Sequence, residues 1–196
     1  MRIKRLLILS FVAFALLSVF PGQAAEKTEV TATYVANPYG ILSNPPYPVF
    51  PNDYIPGTIE CIGNPKAEFP CPTGSPVRYV GFTFGSRIFS DDDRIDGWLT
   101  DKRTHFLHAD GTSNTHAKWR IDLSSGDGYW EGNYTEQGYM IDESTFTTGG
   151  IGRAVFHGYG SVDGLLLKLD TVTTSYWGGA AYIGQYTGYV LDPHAP

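Results

Sequence analysis

The distribution of proline constrains this chain more than any other feature. Ten of its 13 prolines lie between Asn37 and Pro76, and after Pro76 the next one is Pro193. Proline has no amide hydrogen to give to a ladder, and its ring fixes its own backbone. Residues 37–76 are therefore expected to be a long ordered loop, neither regular strand nor helix. The chain beyond it is free to pair. It breaks into short runs punctuated by Gly, Asp, Asn and Ser, the pattern of an antiparallel meander.

The strand candidates there are Arg78–Ser90, Asp96–Ala109, Thr115–Leu123, Tyr129–Glu136, Tyr139–Thr148, Ile151–Gly160, Leu165–Thr174 and Ala181–Leu191. Glu26–Val35 precedes the proline-rich stretch as one more. No helical period of useful length appears in this part. The 13 Tyr, 11 Phe and 23 Gly against two Met point the same way. With 14% aromatic and 17% charged residues, the chain is not of the disordered class. Eight or nine sequential strands predict an all-β fold: an antiparallel up-and-down barrel of about eight strands, with a long Pro-rich loop near the N-terminus. Closure removes exposed sheet edges, which favours a barrel over the alternative two-sheet sandwich.

The N-terminus has the layout of a secretory signal. Arg2, Lys4 and Arg5 precede an apolar run from Leu6 to Phe20, followed by small residues at Gly22 and Ala24. Fifteen residues are short for a bilayer span, which needs about 20. Cleavage is expected after Ala24, giving residues 1–24 as signal and one mature domain from 25 to 196. Within it, 25–76 holds the first strand and the proline-rich segment, and 77–196 the meander. The expected location is secreted or periplasmic, with no membrane association after cleavage. The 14 basic residues then lose three and the 20 acidic residues lose none, for a net charge of −9. That charge argues against a nucleic-acid or anionic-lipid partner. Cys61 and Cys71 are the only cysteines, and export predicts a disulfide between them.

Turn residues suggest a register. Asp110-Gly111 reads as a two-residue hairpin turn that sets His105 opposite His116. A turn at Ser124–Asp127 pairs Ile121 with Trp130, Trp119 with Gly132, and Ala117 with Tyr134. Trp119 is then expected to cover Gly132. Turns at Gln137-Gly138 and Gly149-Gly150 pair Gly132 with Glu143, and Glu143 with Phe156. Gly152, Ala154, Phe156, Gly158 and Gly160 then point inward, as do Leu165, Leu167 and Leu169.

This register singles out Glu143 as a buried carboxylate. Burial disfavours the charged form, as a general acid or base requires. His108 is placed with Phe106 on the same interior and completes an acid–base pair. Trp119, Trp130, Tyr134, Phe156 and Tyr186 are the candidate lining of a central cavity. His105 and His116 are read as an outward, solvated pair, and no metal site is expected. Asp91-Asp92-Asp93 is read as a solvated turn without Ca²⁺-loop spacing. Asn133-Tyr134-Thr135 fits a glycosylation sequon, but within a strand.

The run Thr148-Gly149-Gly150-Ile151-Gly152, followed by Gly158-Tyr159-Gly160-Ser161-Val162, resembles the glycine-rich hairpin of allene oxide cyclases and the related dirigent proteins. The resemblance covers roughly 15–30 residues. It implies an eight-stranded barrel with an apolar cavity. It also implies cofactor-free cyclisation, isomerisation or guided coupling of small lipophilic or phenolic molecules, often by homo-oligomers. The family's catalytic residues have no match here, and the proline-rich Cys-containing segment departs from the pattern. The expected function is binding of a small apolar or aromatic ligand in the barrel. A cofactor-free isomerase or cyclase and a structural or interaction module with a filled interior are the alternatives.

Overall fold

The computed structural model describes residues 25–36, 57–64, 71–142, 144–145, 147–176 and 181–195. Nine strands form one antiparallel sheet: β1 (Glu26–Ala36), β2 (Thr58–Cys61), β3 (Val77–Phe89), β4 (Gly97–Leu107), β5 (Ser113–Leu123), β6 (Gly128–Asp142), β7 (Thr147–Gly160), β8 (Leu166–Tyr176) and β9 (Ala181–Asp192). The order is β1-β9-β8-β7-β6-β5-β4-β3-β2. A further antiparallel pairing of β1 with β3, Thr33–Val35 against Arg87–Phe89, closes the ring. Eight strands thus make the barrel. β2 extends it by pairing with Val77–Val80 on the β3 edge that β1 leaves open.

The alternation expected of β5 holds. Ala117, Trp119, Ile121 and Leu123 are buried, and the first three face Tyr134, Gly132 and Trp130 in the expected register. On β7, Gly152, Ala154, Phe156 and Gly158 point inward, while Gly160 ends the strand exposed and at positive φ. Leu167 and Leu169 follow on β8. At one end of the barrel the turns fold into the core. Ile95 and Val162 are buried there, and Trp130 Nε1 donates to Arg94 O at 2.6 Å. On the outside of that end, Arg87 ties two turns together through Asp96 (2.5 Å) and Ser124 (2.9 Å).

Four expectations are corrected. Thr58–Cys61, inside the proline-rich stretch, is a strand, because its four residues contain no proline and can pair at an edge. Gln137-Gly138 is not a turn. β6 runs on to Asp142, with Gln137 paired to both Asn114 and Ile151. Gly149-Gly150 likewise lies within β7. Consequently Phe156 faces Gly132, not Glu143. Glu143 itself lies outside the described residues.

The fourth correction concerns the hairpin joining β4 to β5. His108 N donates to Thr112 O, and Gly111 adopts φ 80°. That is a three-residue loop ending in a left-handed glycine, one residue longer than the turn expected at Asp110-Gly111. His105 therefore faces Thr115, and Leu107 faces Ser113. A one-residue shift exchanges the two faces of a strand.

Cys61 and Cys71 form the expected disulfide, with Cα atoms 5.5 Å apart. Gly132 sits where a Cβ would lie 2.1 Å from Val155 O and 2.8 Å from Phe156 Cδ1. The ring against this glycine is Phe156, while Trp119 stacks on Tyr134 at 3.9 Å. Gly132→Ala should thus cost about 2 kcal/mol or more through overpacking, measurable by urea denaturation. Replacing both cysteines by serine should cost about 2–3 kcal/mol on the same assay, from the entropy returned to the unfolded chain.

Candidate functional site

Of the five aromatic side chains expected to line a cavity, four pack together, and Trp130 stands towards the inward turns, bonded to Arg94 O. Trp119, Trp130, Tyr134, Phe156 and Tyr186 are all at most 3% exposed. Trp119 is the hub. Its ring lies 3.9 Å from Tyr134, 5.8 Å from Tyr186, 6.2 Å from Phe156 and 6.3 Å from Tyr34. These rings fill the middle of the barrel by packing on one another. Between them and the closed end the interior is aliphatic, with Ile88, Leu99, Ile121, Leu167 and Val190 buried.

On the other side of the rings the interior is polar. Strand directions place here the ends of β4, β6 and β8 and the starts of β3, β5, β7 and β9. The last residue of β1, Ala36, pairs with Tyr182 at this end, and β2 and the Cys61–Cys71 disulfide stand beside the start of β3. Asp101 and Arg103 both point inward, since they pair with Trp119 and Ala117. Their two side chains form a bidentate ion pair, Asp101 fully buried and Arg103 11% exposed. The guanidinium lies over the rings of Phe84 (4.5 Å) and Tyr182 (5.5 Å), which stack on each other at 5.6 Å. Burial works against the Arg103 charge, but Asp101 outweighs it and holds the group protonated.

Glu136 is the second anchor. The Tyr134 hydroxyl donates to its Oε2 at 2.5 Å, Thr173 Oγ1 donates to the same oxygen at 2.6 Å, and Thr115 Oγ1 donates to Oε1 at 3.5 Å. Three donors on one carboxylate satisfy a group that only accepts. Thr115 spends its proton on Glu136, so its oxygen accepts from His105 Nδ1–H at 2.9 Å. That leaves His105 Nε2 as an acceptor. Thr171 Oγ1 in turn donates to the Tyr134 oxygen at 3.2 Å.

Glycines make the room for this network. A Cβ on Gly150 would lie 2.6 Å from Glu136 Oε2, and one on Gly152 would lie 2.7 Å from the Tyr134 hydroxyl. The run Thr148-Gly149-Gly150-Ile151-Gly152 is thus no turn. It is the strand against which the site packs.

Three hydroxyls and an indole in this region are buried without a hydrogen-bond partner: Tyr34, Ser86 and Tyr186, with Trp119 Nε1. Tyr34 and Ser86 are each other's neighbours, and Ser86 acts on the Tyr34 hydroxyl as a hydrogen-bonding group, at a geometry looser than a standard bond. Burial raises both tyrosines far above their ordinary range. Tyr34 also senses Arg103 and Asp101, and Tyr186 senses Asp101 and Glu136. Their hydroxyls therefore belong to the polar end.

Of the acid–base pair expected from the sequence, Glu143 is not among the described residues. His108 stands at the exposed hairpin tip, 2.8 Å from Asn114 Nδ2, and Phe106 is on the other face of β4 from the interior. His105 takes the inward place instead, and His116 points outward without meeting it. Sequence reasoning misses Asp101, Arg103, His105 and Glu136 because it assigns polar residues to solvent. A signal for them exists: with a three-residue hairpin, 101, 103 and 105 share the face of Leu99. Asp92 carries two hydrogen bonds from the Arg94 side chain, as a structured turn. Among the described residues no group of three His, Cys, Asp or Glu side chains could hold a metal ion.

The His105 ring has its pKa lowered from 6.5 to about 4, first by burial and then by the nearby Arg103 charge. The unfolded chain takes up this proton near pH 6.5 and the folded one only near 4. Between those values the unfolded state binds more protons, so acid favours unfolding. The contribution is complete above pH ~6.5 and is lost as the pH falls towards ~4, at most about 3 kcal/mol. Urea midpoints at pH ~7.5 and ~4.5, either side of most of that window, should show the loss, and His105→Gln should remove that part of it. Equal losses in both proteins would assign it to other groups.

No protein-family model, curated protein or solved structure matches this chain.

Proposed function

We propose that this protein is an exported binding protein that holds one small aromatic or apolar molecule with a hydrogen-bonding group at the polar end of its barrel. The observation that carries this reading is a pair of buried polar atoms without partners, the Tyr186 hydroxyl and Trp119 Nε1, with Asp101 and Glu136 acting on that tyrosine. Buried polar atoms without partners are costly, and a bound water or ligand is their usual remedy. The surroundings suit a ring. Tyr79 and Phe82 offer rings, and the Nε2 of His105 offers a hydrogen-bond acceptor. Gly81, at φ 75°, makes a bulge between Val80 and Phe82 that brings Phe82 and Tyr79 to one face, 5.5 Å apart. The packed rings at mid-barrel confine the ligand to this end. The disulfide is compatible with an extracellular location.

A second reading is proton transfer without a cofactor in the same place. It is favoured by the continuous chain Tyr134–Glu136–Thr115–His105, with Glu136 in the role that the sequence alone assigns to Glu143.

Native mass spectrometry of the protein purified from its source should detect a retained small molecule. Calorimetry with that molecule should show binding at least about tenfold weaker for Tyr182→Ala and for Thr173→Val, each checked for folding by near-UV circular dichroism. Protein that carries nothing, and that gives no heat with simple phenols, would sink the binding reading. Incubation of the retained molecule in D₂O tests the second: an isomer carrying deuterium, absent with Glu136→Gln, marks turnover.

A further inference from the structure

The outside of the barrel is not uniformly polar. Of the ten large hydrophobic side chains exposed among the described residues, six lie on the outer face of β6 and its neighbours β7 and β8: Tyr139, Ile141, Ile151, Val155, Tyr159 and Val172. Ile151 is 62% exposed and Val172 57%, and the two are direct cross-strand partners. Apolar side chains gathered on one sheet face mark a contact surface.

Charge decides what fits it. Residues 25–196 carry 11 basic against 20 acidic residues, so most of the surface repels another copy. This face is an exception. On the outward positions of 131–137, 151–157 and 166–172, Glu131 and Asp170 balance Arg153 and Lys168. Arg153 Nε donates to Asp170 Oδ1 at 2.9 Å, yet the two side chains stay 83% and 69% exposed. Each has a free side for a second partner.

We infer that this face pairs with the same face of a second copy of the chain, about a twofold axis near the Arg153–Asp170 pair. In such an isologous contact Arg153 meets the Asp170 of the second copy, and Asp170 meets its Arg153. Ile151 and Val172 pack beside the resulting four-charge cluster. The area is sufficient. Three strands, β6 to β8, at about 4.8 Å spacing, and about 11 residues at about 3.4 Å each, give roughly 540 Å², and the uncharged outward positions Ile183, Gln185, Thr187 and Tyr189 of β9 bring this to roughly 700 Å². A standard interface takes about 800 Å² from each partner. The polar end of the barrel stays open to solvent in this arrangement, so the dimer does not depend on ligand binding.

Sedimentation equilibrium of the intact protein tests the inference. The wild-type protein should sediment as a dimer at about 50 μM, and Ile151→Glu with Val172→Glu should raise the dissociation constant at least about a hundredfold. The two glutamates would stand opposite each other across the strands, so each single variant, Ile151→Glu and Val172→Glu, serves as the folding control and should move the thermal midpoint of the monomer by only a few degrees. Arg153→Asp alone should weaken the dimer about tenfold, and adding Asp170→Arg should restore it, because the swapped pair keeps both the internal and the cross-interface attraction. A wild-type monomer at every concentration, or a dimer indifferent to both sets of changes, would overturn it.

Discussion

The interior of an eight-stranded barrel has room for side chains and little else, and here the Trp119 stack takes the middle of it. Every strand near that level must yield space. Trp119 and Tyr134, stacked at 3.9 Å, come from paired strands, and the neighbouring inward positions are Gly132, Gly152 and Ala154. Larger residues there would push the rings apart or open the β6–β7 ladder. The glycines cost strand propensity. Burial of rings worth roughly 1.5–3 kcal/mol each offsets that cost. The abundance of glycine and the abundance of aromatics are one feature of the packing.

The stack also separates two chemical environments. Towards the closed end, aliphatic side chains and inward turns exclude water. Towards the other end, Asp101 and Arg103 sit within the wall as a buried ion pair. Such a pair is weak grounds for stability, because removing two charges from water costs as much as their attraction returns. It does fix direction. With Asp101 holding two guanidinium nitrogens, the flat face of Arg103 is left against Phe84 and Tyr182. Burial beside that positive charge keeps His105 neutral, and the Nδ1–H tautomer follows from the Thr115–Glu136 bond. The groups that specify a ligand are therefore ordered by contacts with one another.

Much of this is legible in the sequence, and the parts that are not share a cause. Alternation on β5 places Trp119, Ile121 and Leu123 correctly because no bulge intervenes. The four-residue turn at 124–127 carries the register into β6, and leucines mark the inward face of β8. Glycine misleads twice. Gln137-Gly138 and Gly149-Gly150 have the look of turns, the usual meaning of glycine between runs. In β6 and β7 they are instead places where Ser113, Tyr139 and Glu136 need room. A sequence pattern does not distinguish a glycine that bends the chain from one that accommodates a neighbour.

The hairpin at His108–Thr112 shows how narrow the margin is. A two-residue turn on Asp110-Gly111 sends His105 to solvent, with Asp101 and Arg103 beside it, and turns Thr100, Lys102 and Thr104 inward in their place. One more residue in the loop brings Asp101, Arg103 and His105 inside. The strand itself does not choose between the loops. Leu99 and Leu107 lie on the face that carries 101, 103 and 105, and Trp98 and Phe106 lie on the other. Turning the first face inward means accepting a charged pair in the interior, against the preference of charges for water. The resolution is pairwise: neither Asp101 nor Arg103 is tolerable inside alone, and at spacing i, i+2 on a strand each is beside the other on the same face. The spacing permits such a pair without requiring it: Lys168 and Asp170, also two apart between apolar residues on one face of a strand, point to solvent, and the closure of the loop decides the case of Asp101 and Arg103.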